Sequence, residues 1–543
     1  MQLDALIKDL PITLARGDAA VALAGLTDDS RAVQPGSLFI GRLGAHGGIQ
    51  TLPGHTDTMR YVPAALEAGA AALLLPQMKP SEMQRFEAPD GIAVCFINEG
   101  AIDQRLCGTL AERFYGHPSK KLKLIGVTGT NGKTTTVTMT KQLLASAGHK
   151  CGLIGTVELD TGSPAGPTPA TLTTPGAIEL SRLLAEMVDN GCGFCVMEVS
   201  SHALHQGRTD HLRFSAAAFT NLTQDHLDYH GSMPQYADAK AILFEQLDKD
   251  AFAILNGDDM WSARMARGCC ASVAFSAVLK HDGKLPPDAI GRRRCCVRPI
   301  ALTAASSTAE FHGRLDHFTA TVPMPGLHNL SNALQAIALA YVAADITPEQ
   351  LKQGIESAKP VPGRLEPVGP DWPQASSPKT QAQFPTVLVD YAHTPDALQN
   401  VGKALRDLTT GKLITVFGCG GDRDRAKRPL MAKAAQQHAD VVVLTSDNPR
   451  TEDPRQILDD ASAGFETNTQ YPAPTTHAIM DRAEAIRFAI DLAGENDTVL
   501  IAGKGHEDYQ IVGTEKAHFD DREQAAAALR EILSDSPDDQ KEA

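Results

Sequence analysis

The sequence predicts an α/β protein of three domains, with a central P-loop-type parallel or mixed sheet and a Rossmann-like sheet in the C-terminal part. A chain of 543 residues is too long for one hydrophobic core. Through the middle of the chain, apolar runs of strand length alternate with helical patterns. In the last third, four short apolar runs are each followed at once by polar residues, which indicates parallel strands joined by helical crossovers.

The domain boundaries follow from breaks in these patterns. A turn-like segment, Tyr115–Ser119, ends the first part of the chain. A loop rich in Pro, Ser and Gln runs from Pro370 to Pro385, and an acidic tail that we expect to fray begins near Asp535. We expect the three domains at residues 1–118, 119–360 and 361–543.

Composition and charge are those of an ordinary globular protein, with 43% hydrophobic and 21% charged residues. The formal net charge is −15 and no dense Lys/Arg block occurs, so we expect neither nucleic acid nor a membrane surface as a partner. We find no N-terminal signal pattern and no apolar stretch of bilayer length, and we expect a cytoplasmic monomer without membrane insertion. The ten cysteines, including the lone Cys192-x-x-Cys195 pair, fit reduced residues that pack in the core.

The most informative segment is VTGTNGKTTT, from Val127 to Thr136. It follows a strand-like apolar run and leads into a helical pattern that ends before Gly148. In such a loop the glycines let backbone N–H groups approach phosphate oxygens, Lys133 can reach the outer phosphates, and the Thr134 hydroxyl can bind Mg²⁺. We therefore expect a nucleoside triphosphate site rather than an ordinary glycine turn. Val127 stands where the usual P-loop has its first glycine, so the loop is a variant.

Polar residues at predicted strand ends are the next candidates, because ligands of open α/β sheets bind beyond the carboxyl ends of the strands. Glu198 ends an apolar run and fits a Mg²⁺ ligand, or alternatively a salt-bridged strand end. Ser200, Gln206 and Arg208 follow it and fit a substrate-binding segment or simply a polar loop. His226 follows a second apolar run and fits a metal ligand, although a lone histidine is more often structural.

Lys240 lies on an apolar helical stripe with Tyr236, Leu243 and Phe244. A lysine in this position must extend its amine to the surface, pair with a carboxylate, or be chemically altered. Two hypotheses remain open at this point: a salt bridge at the edge of the core, and a neutral amine that reacts with CO₂ to give an anionic carbamate.

The strand-like runs of the last third lead into GCGGDRD, SDNPR and GKGHED, which contain Arg423, Asn448, Arg450 and Glu507. The first segment lacks the third glycine of a dinucleotide fingerprint, and no Ser or Thr follows Lys504, so neither is a second nucleotide loop. Two guanidinium groups suit a carboxylate, and a carboxylate with an amide suits an ammonium group. We predict that these residues converge on a zwitterion such as an amino acid.

These motifs together resemble those of Mur ligases. In chain order they are DSR, GVTGTNGKTTT, MEVSSH, FTNLTQDHLDYH, HNLSNALQA, GRLE, DYAHTPDAL, VFGCGGDRDRAKRPLM, DNPRTEDP and AGKGHEDYQ. The resemblance covers nearly the whole chain and implies an N-terminal domain for a UDP-linked substrate, a central ATPase and a C-terminal domain for the incoming amino acid. It implies that ATP phosphorylates the glutamate side chain of UDP-N-acetylmuramoyl-L-alanyl-D-glutamate, and that the amine of meso-diaminopimelate then attacks the acyl phosphate, in peptidoglycan precursor synthesis.

The resemblance also implies the catalytic and metal-binding residues. Lys133, Glu198, His226 and Lys240 would be catalytic. Thr134 and Glu198 would bind one Mg²⁺, and His226 with carbamylated Lys240 would serve a second metal. By analogy, this favours the carbamate at Lys240 over the salt bridge.

For the two nucleotide-bearing substrates the resemblance implies two sets of contacts. ATP would be bound by Gly129, Thr130, Asn131, Gly132, Lys133, Thr134, Thr135, Asn332, Arg364 and Asp390. The UDP-linked dipeptide would be bound by Ser30, Thr173, Thr174, Ser200, Gln206 and Arg208. Relatives often carry an Asn before the threonine pair, where this chain has Leu172, so that contact departs from the family pattern.

The third set is the one implied for diaminopimelate: Arg423, Asp447, Asn448, Pro449, Arg450, Gly503 and Glu507. Lysine lacks the far carboxylate of diaminopimelate, and Arg450 with Arg423 nearby supplies a bidentate partner for that group. A lysine-adding Mur ligase and a folylpolyglutamate synthase-like ligase are the alternatives among enzymes, and the DSR and DNPR segments weigh against both. From another class, the chain could be a nucleotide-regulated binding protein that uses the P-loop as a switch.

Overall fold

The computed structural model describes residues 1–42, 58–77, 88–98, 102–279, 294–313, 317–344, 346–373, 384–465 and 474–535. Helices alternate with parallel and mixed sheets, which confirms the predicted α/β fold class. The acidic tail after Asp535 and most of the predicted Pro/Ser/Gln-rich loop lie outside the described residues. No helix in these described ranges is both long enough and apolar enough to cross a membrane.

The chain divides into two compact units. The first comprises Met1–Lys133, Gly148–Ala274 and Leu339–Asp345, and the second comprises Thr134–Ala147, Phe275–Ala338 and Ile346–Ala543. The proposed domain boundaries after residues 118 and 360 stay predictions.

The N-terminal part of the first unit forms a five-stranded sheet of order β1-β5-β4-β3-β2. Its strands are β1 Ile12–Arg16, β2 Gly25–Thr27, β3 Ser37–Ile40, β4 Ala72–Leu75 and β5 Ala93–Ile97. Only the β1–β5 pair is antiparallel among the described pairs of this sheet. Leu38 and Phe39 are adjacent and fully buried in two different core clusters, so the sheet is covered on both faces, as parallel sheets require.

The P-loop lies in a second sheet, of eleven strands among the described residues, and seven strands of this sheet lie wholly in the first unit, in the order β12-β11-β6-β10-β7-β8-β9. The strands are β6 Lys123–Thr128, β7 Cys151–Ile154, β8 Glu158–Asp160, β9 Thr168–Pro169, β10 Phe194–Glu198, β11 Phe214–Phe219 and β12 Phe252–Asn256. Strands β6, β7, β10, β11 and β12 are parallel to their neighbours in this set. Glu198 pairs with Val127 and Val127 with Ala218, so the carboxyl ends of β10, β6 and β11 lie at one edge.

Helices of the first unit connect these strands. They are Leu3–Ile7, Val62–Glu67, Gln104–Phe114, Ala177–Asp189, Ser201–His205, Leu227–His230, Met233–Glu245 and Ser262–Ala266. Local chemistry sets where two of them begin: Ser200 and Ser232 each accept a backbone N–H of the first helical turn, as N-cap residues do. Both caps precede helices that carry candidate site residues.

Strand β13, Ser272–Val278, passes from the first unit into the second and pairs there in parallel with β14, Arg294–Leu302. The antiparallel strands β15, Ser307–His312, and β16, His317–Val322, complete this part of the second unit.

The C-terminal sheet of the second unit has the order β17-β18-β22-β19-β20-β21. Its strands are β17 Glu366–Val368, β18 Thr386–Asp390, β19 Leu413–Cys419, β20 Val441–Ser446, β21 Thr475–Ala478 and β22 Thr498–Ala502. All pairs except β17–β18 are parallel, which confirms the four strand-like runs and brings the segments after β18, β22, β19 and β20 to one edge. A separate antiparallel hairpin consists of β23, Tyr509–Val512, and β24, Glu515–His518.

The second unit's helices flank these sheets. They are Leu327–Ala343, whose residues from Leu339 onward belong to the first unit, and Pro348–Glu356, Pro395–Arg406, Lys427–Gln436, Pro454–Ser462, Arg482–Asp491 and Asp521–Asp535. The helix Lys133–Ser146 starts at the P-loop and ends as predicted before Gly148, whose φ is +86°. The ten cysteines are free thiols, and Cys192 and Cys195 are both buried.

Candidate active site

Residues that follow the neighbouring strand β11 fix the conformation of the P-loop by hydrogen bonds and close contacts. Gly129 has φ of +151°, and a Cβ at this position would lie 1.9 Å from Oγ1 of Thr220. That hydroxyl donates to the carbonyl oxygen of Asn131 at 2.6 Å, and the Asn221 side chain bonds both the N–H and the carbonyl of Asn131. Thr130 donates its N–H to Asn221 and its hydroxyl to Thr223. Only glycine fits position 129, because the loop lies directly on this segment.

Lys133 folds back onto the loop. Its Nζ donates to the carbonyl oxygens of Gly129 and Thr130 at 3.0 and 2.8 Å. Thr134 and Thr135 follow in the first turn of the helix and are both buried. The ammonium group therefore lies against the loop residues that the sequence predicts to bind phosphate.

Lys240 is 1% exposed, and its Nζ donates to the carbonyl oxygen of Gly129 at 2.8 Å. The ammonium group also lies 4.6 Å from the ring centre of Tyr236. No carboxylate of the described residues forms an ion pair with it, so the hypothesis of a salt bridge at the core edge is wrong. Burial, and then the charge of Lys133, lowers the pKa of Lys240 well below its usual value.

His226 and Lys240 both have Tyr236 as a neighbour. The ring of His226 is 6.2 Å from the ring of Tyr236 and 4.8 Å from that of His202. The residue has φ of +52°, and Nε2 lies 3.4 Å from the carboxylate of Asp225. Burial lowers the pKa of His226, which favours the neutral ring that a metal ligand needs.

Glu198 is fully buried at the end of β10, and it is held by a residue that sequence reasoning missed. Thr156 donates its N–H to Oε1 at 2.8 Å and its hydroxyl to Oε2 at 3.1 Å. The same hydroxyl is 3.0 Å from Oγ1 of Thr173. The carboxylate is therefore positioned by hydrogen bonds and not by a salt bridge, since no ion pair with Glu198 occurs among the described residues.

Four of the six residues predicted for the UDP-linked dipeptide form one network: Thr174, Ser200, Gln206 and Arg208. The hydroxyl of Thr174 donates to the carbonyl oxygen of Glu198 at 2.9 Å and accepts the N–H of Ser200. Its carbonyl accepts from Nη1 of Arg208 at 2.8 Å, and the guanidinium also bonds Oε1 of Gln206.

Two of the positions predicted or questioned for this substrate stand apart from the network. Ser30 lies in the short 3-10 helix Ser30–Ala32, and no hydrogen bond of the described residues joins it to the group around Thr174. Leu172 is 52% exposed, so this side chain faces solvent where relatives often carry an Asn.

In the second unit, the residues predicted for the remaining ATP contacts form hydrogen bonds and a ring contact with other residues of the protein. Asp390 is buried, and its two carboxylate oxygens accept the N–H groups of Leu365 and Ala392, both at 2.8 Å. Arg364 lies over the ring of Tyr391 at 4.9 Å. The carboxylate of Asp390 thus bonds the backbone of the GRLE motif, at Leu365, and that of its own DYAHTPDAL motif, at Ala392.

Asn332 is also in this unit and is 6% exposed. Its Oδ1 accepts from Thr136 at 3.5 Å, and its Nδ2 donates to Asn329 at 3.3 Å. The asparagine therefore connects its own helix to the helix that follows the P-loop.

The predicted amino-acid residues do converge at the carboxyl edge of the C-terminal sheet. Nδ2 of Asn448 donates to Oε2 of Glu507 at 3.3 Å. A Cβ at Gly420 would lie 3.1 Å from Nη1 of Arg450 and 3.8 Å from Cγ of Arg423, so both arginines flank this glycine. Burial, and then the charge of Asp447, raises the pKa of Glu507.

Lys504 is the second residue that sequence reasoning missed, because its motif was considered only as a phosphate loop. It is fully buried, and its Nζ lies 3.1 Å from Oδ1 of Asp447 and 3.2 Å from Oδ1 of Asn448. Burial opposes the charged form of Asp447, but Lys504 and Arg482 outweigh it and lower the pKa of that carboxyl. The strand-end rule that found Glu507 would also have found Lys504 and, after β7, Thr156.

Pro449 and Gly503 complete the predicted set. Both are buried, and the carbonyl oxygen of Pro449 would be 1.9 Å from a Cβ at Gly421. Gly503 has φ of +120° and donates its N–H to the carbonyl oxygen of Asp390. The close approach at Gly421 and the positive φ of Gly503 explain why glycines stand in these two loops.

The donor atoms present fit Mg²⁺ better than a softer metal. In the described ranges, no group of three or more His, Cys, Asp and Glu side chains could hold a metal ion by itself. Glu198 supplies buried oxygen atoms at a strand end, and Mg²⁺ in phosphoryl-transfer sites takes one or two carboxylates plus substrate phosphates. The carboxylate of Glu198 therefore offers the kind of oxygen ligand that Mg²⁺ takes.

Comparison with known proteins gives the family. The models for the Mur ligase middle domain and for the Mur ligase glutamate ligase domain match residues 127–340 and 378–505. A protein of Parasynechococcus marenigrum, named UDP-N-acetylmuramoyl-L-alanyl-D-glutamate–2,6-diaminopimelate ligase, is 44% identical over 97% of this chain and 99% of its own length. A solved structure of a ligase with the same name has a TM-score of 0.63 and 29% identity, and the match covers 98% of this chain and 99% of that one.

A more distant solved structure shows the same fold. This is the MurF ligase of Thermotoga maritima in complex with ADP, with a TM-score of 0.55 and 16% identity over 96% of this chain and 99% of that one. Since the first relative is matched at high identity along almost its whole length, and two family models match in order, the chain belongs to the Mur ligase family.

Proposed function

We propose that this enzyme uses ATP to join meso-diaminopimelate to UDP-N-acetylmuramoyl-L-alanyl-D-glutamate, as a step of peptidoglycan precursor synthesis. The observation that carries the proposal is the near full-length match to relatives that bear this name. The group formed by Asn448, Glu507 and the two arginines gives it a physical basis, because it offers partners for both charged ends of an amino acid. We expect the enzyme to act in the cytoplasm as a monomer.

The chemical need is activation of a carboxylate, which is a poor electrophile until one of its oxygens becomes a good leaving group. Transfer of the γ-phosphoryl group of ATP to the glutamate side chain gives an acyl phosphate and ADP. The diaminopimelate amine then attacks the acyl carbon, and phosphate leaves from the tetrahedral intermediate as the amide forms. Lys133 and the backbone N–H groups of the P-loop would bind the triphosphate and offset its charge. Mg²⁺, when bound, would neutralise charge on the transferring group.

Lys240 would act as a carbamate. The amine is buried, has no carboxylate partner among the described residues, and has a lowered pKa that favours its neutral form. The neutral amine forms an N–C bond with CO₂ and loses a proton, which turns the buried amine into an anion. His226 lies beside the same tyrosine and would share a metal with this anion.

Recognition of the incoming amino acid would divide between two ends. Asn448 and Glu507 suit an ammonium group, whereas Arg450 and Arg423 suit a carboxylate. A lysine-adding ligase is the alternative, and Arg450 favours diaminopimelate because lysine would leave the guanidinium without a carboxylate partner.

One assay tests the proposal directly. Phosphate release is measured with ATP and the UDP-linked dipeptide, in the presence of meso-diaminopimelate, lysine or neither. We expect turnover only with the dipeptide and diaminopimelate together. ATP hydrolysis that is indifferent to both substrates would instead support the nucleotide-switch alternative, and equal use of lysine would support the lysine-adding one.

A further inference from the structure

The β23–β24 hairpin, Tyr509–His518, packs against the DNPR segment rather than extending a sheet. An isolated two-stranded hairpin is at best marginally stable in water. All four residues of β24 are exposed, so burial of this strand contributes little to the core. The hairpin's ordered position therefore depends on what its inner strand contacts.

Those contacts fall on the four residues Asp447–Arg450. Nε2 of Gln510 donates to the carbonyl oxygen of Asp447 at 2.7 Å, and the N–H of Ile511 donates to Oδ1 of Asn448 at 2.9 Å. The N–H of Arg450 donates to the carbonyl oxygen of Ile511 at 3.1 Å, and its carbonyl accepts the N–H of Gly513 at 2.7 Å. The hairpin thus bonds both the backbone and a side chain of this segment.

Arg450 needs such support because its backbone is strained. It has φ of +51°, in the left-handed region that costs a non-glycine residue free energy. Hydrogen bonds from the hairpin satisfy its N–H and its carbonyl in this conformation. Its Nη1 then donates to the carbonyl oxygen of Gly421 at 2.9 Å. The hairpin therefore fixes the backbone from which the side chain extends, and the carbonyl oxygen of Gly421 then orients the guanidinium.

The hairpin also fixes which way the amide of Asn448 points. Oδ1 accepts from both Ile511 N–H and Lys504 Nζ, which leaves Nδ2 directed at Glu507. Lys504 additionally donates to the carbonyl oxygen of Tyr509 at 2.7 Å, so it links the first hairpin residue to the same asparagine. One short hairpin thus contacts two residues of the predicted amino-acid site, Asn448 and Arg450.

We propose that the hairpin Tyr509–His518 is a positioning element for selection of the amino acid: it holds Arg450 and Asn448 in the orientation that recognises the two ends of diaminopimelate. This inference rests on the proposed function, since it concerns the same site. Gln510 and Gly513 are positioning residues in this scheme, because they act through Asp447–Arg450 and not on the substrate.

The test uses three variants of the full-length enzyme. Gln510→Met keeps the size of the side chain but removes the donor, and Gly513→Pro removes an N–H at a position whose φ is +62°. Glu515→Ala changes the exposed outer strand and is the control. We expect the KM for meso-diaminopimelate to rise about fivefold in Gln510→Met and more in Gly513→Pro. The KM values for ATP and the UDP-linked dipeptide, and the melting temperature, should stay near those of wild type.

A conservative rescue and an exchange experiment complete the design. Gln510→Lys, which restores a donor, should recover part of the affinity lost in Gln510→Met. In wild type, meso-diaminopimelate should slow amide hydrogen exchange at Arg450, Ile511 and Gly513. An unchanged KM for diaminopimelate in both hairpin variants, or a parallel rise in all three KM values, would overturn the inference while the proposed function stands. A wild-type enzyme that does not use diaminopimelate would overturn both.

Discussion

Lys133 and Lys240 donate hydrogen bonds to one shared acceptor, the carbonyl oxygen of Gly129, at 3.0 and 2.8 Å. Two ammonium groups this close repel each other, and the buried one bears the larger cost. Burial and the charge of Lys133 accordingly lower the pKa of Lys240. Conversion of Lys240 to a carbamate would replace this repulsion by attraction between opposite charges.

Lys240→Ala should therefore abolish most activity, with a loss of roughly 100-fold or more, because a charge placed beside the transferring phosphoryl group is removed. Added formate, acetate or propionate should restore part of the activity in a concentration-dependent way, since each can supply an anion in the vacated space. The exposed Lys249→Ala is the control and should behave like wild type with or without these acids. Full activity of Lys240→Ala without any acid would refute an essential carbamate.

Gly129→Ala should weaken ATP binding far more than Gly148→Ala. Gly129 and Gly148 both have positive φ, of +151° and +86°, so alanine is strained at either position. The added Cβ would meet Thr220 at 1.9 Å in the first case and nothing within 4 Å in the second. We expect the KM for ATP to rise about tenfold or more in Gly129→Ala only. Similar ATP constants for the two variants would show that loop crowding is unimportant.

Arg450→Ala should cost about 2–4 kcal/mol in recognition of meso-diaminopimelate, because a charge-assisted pair is lost and only Arg423 remains near the substrate carboxylate. This corresponds to a fall in kcat/KM of about 30- to 1,000-fold. The ratio of diaminopimelate to lysine incorporation, measured by product mass, should fall with it. If Arg450→Ala keeps the wild-type ratio, residues other than Arg450 determine the selectivity.

Several of these residues follow from sequence because their positions depend on local pattern. Glu198 lies at a strand end, and Lys240 lies on a buried helical stripe, as their apolar neighbours predict. The convergence of Asn448, Arg450 and Glu507 follows from parallel strands that end at one edge.

Other features depend on contacts between residues far apart in sequence, and local pattern does not contain them. Thr156 reaches Glu198 across the sheet, and the hairpin reaches Arg450 from some sixty residues further along the chain. The salt-bridge hypothesis for Lys240 failed for the same reason, since the acceptor is a backbone carbonyl that carries no side-chain signal. Fold class and strand-end positions are thus readable from sequence, whereas the contacts that orient the site residues are not.

Protonation of Glu452 should lower the stability of the fold as the pH falls from about 4.5 toward 2. Hydrogen bonds from Arg428 and from the backbone of Asp422 lower its pKa from the usual 4.5 to about 2. Since the folded-state pKa lies below the unfolded value, the stabilisation is complete above about pH 4.5 and is lost as the pH falls toward 2. Glu452→Gln should therefore show a smaller drop in melting temperature than wild type between pH 5 and pH 3. Parallel melting curves for the two proteins would assign the acid sensitivity to other carboxyl groups.

Arg482 and Asp521 form a fully buried ion pair. Nε and Nη2 of the arginine donate to the two carboxylate oxygens at 2.7 and 2.6 Å. The guanidinium also donates to the carbonyl oxygens of Ser446 and Ala502, the last residues of β20 and β22. Removing one partner leaves an uncompensated buried charge, so Arg482→Met should lower the free energy of unfolding by about 3–5 kcal/mol.

The double variant Arg482→Met/Asp521→Asn separates the buried charge from the connection between the strands. It removes the uncompensated carboxylate, so chemical denaturation should show that most of the stability lost in Arg482→Met returns. It does not restore the hydrogen bonds to Ser446 and Ala502, from which the DNPR and GKGHED segments continue. The KM for diaminopimelate should therefore be raised in both the single and the double variant, while the unfolding free energy recovers in the double variant. Recovery of both together would mean that Arg482 serves stability alone, and recovery of neither would mean that the carboxylate is not the source of the cost.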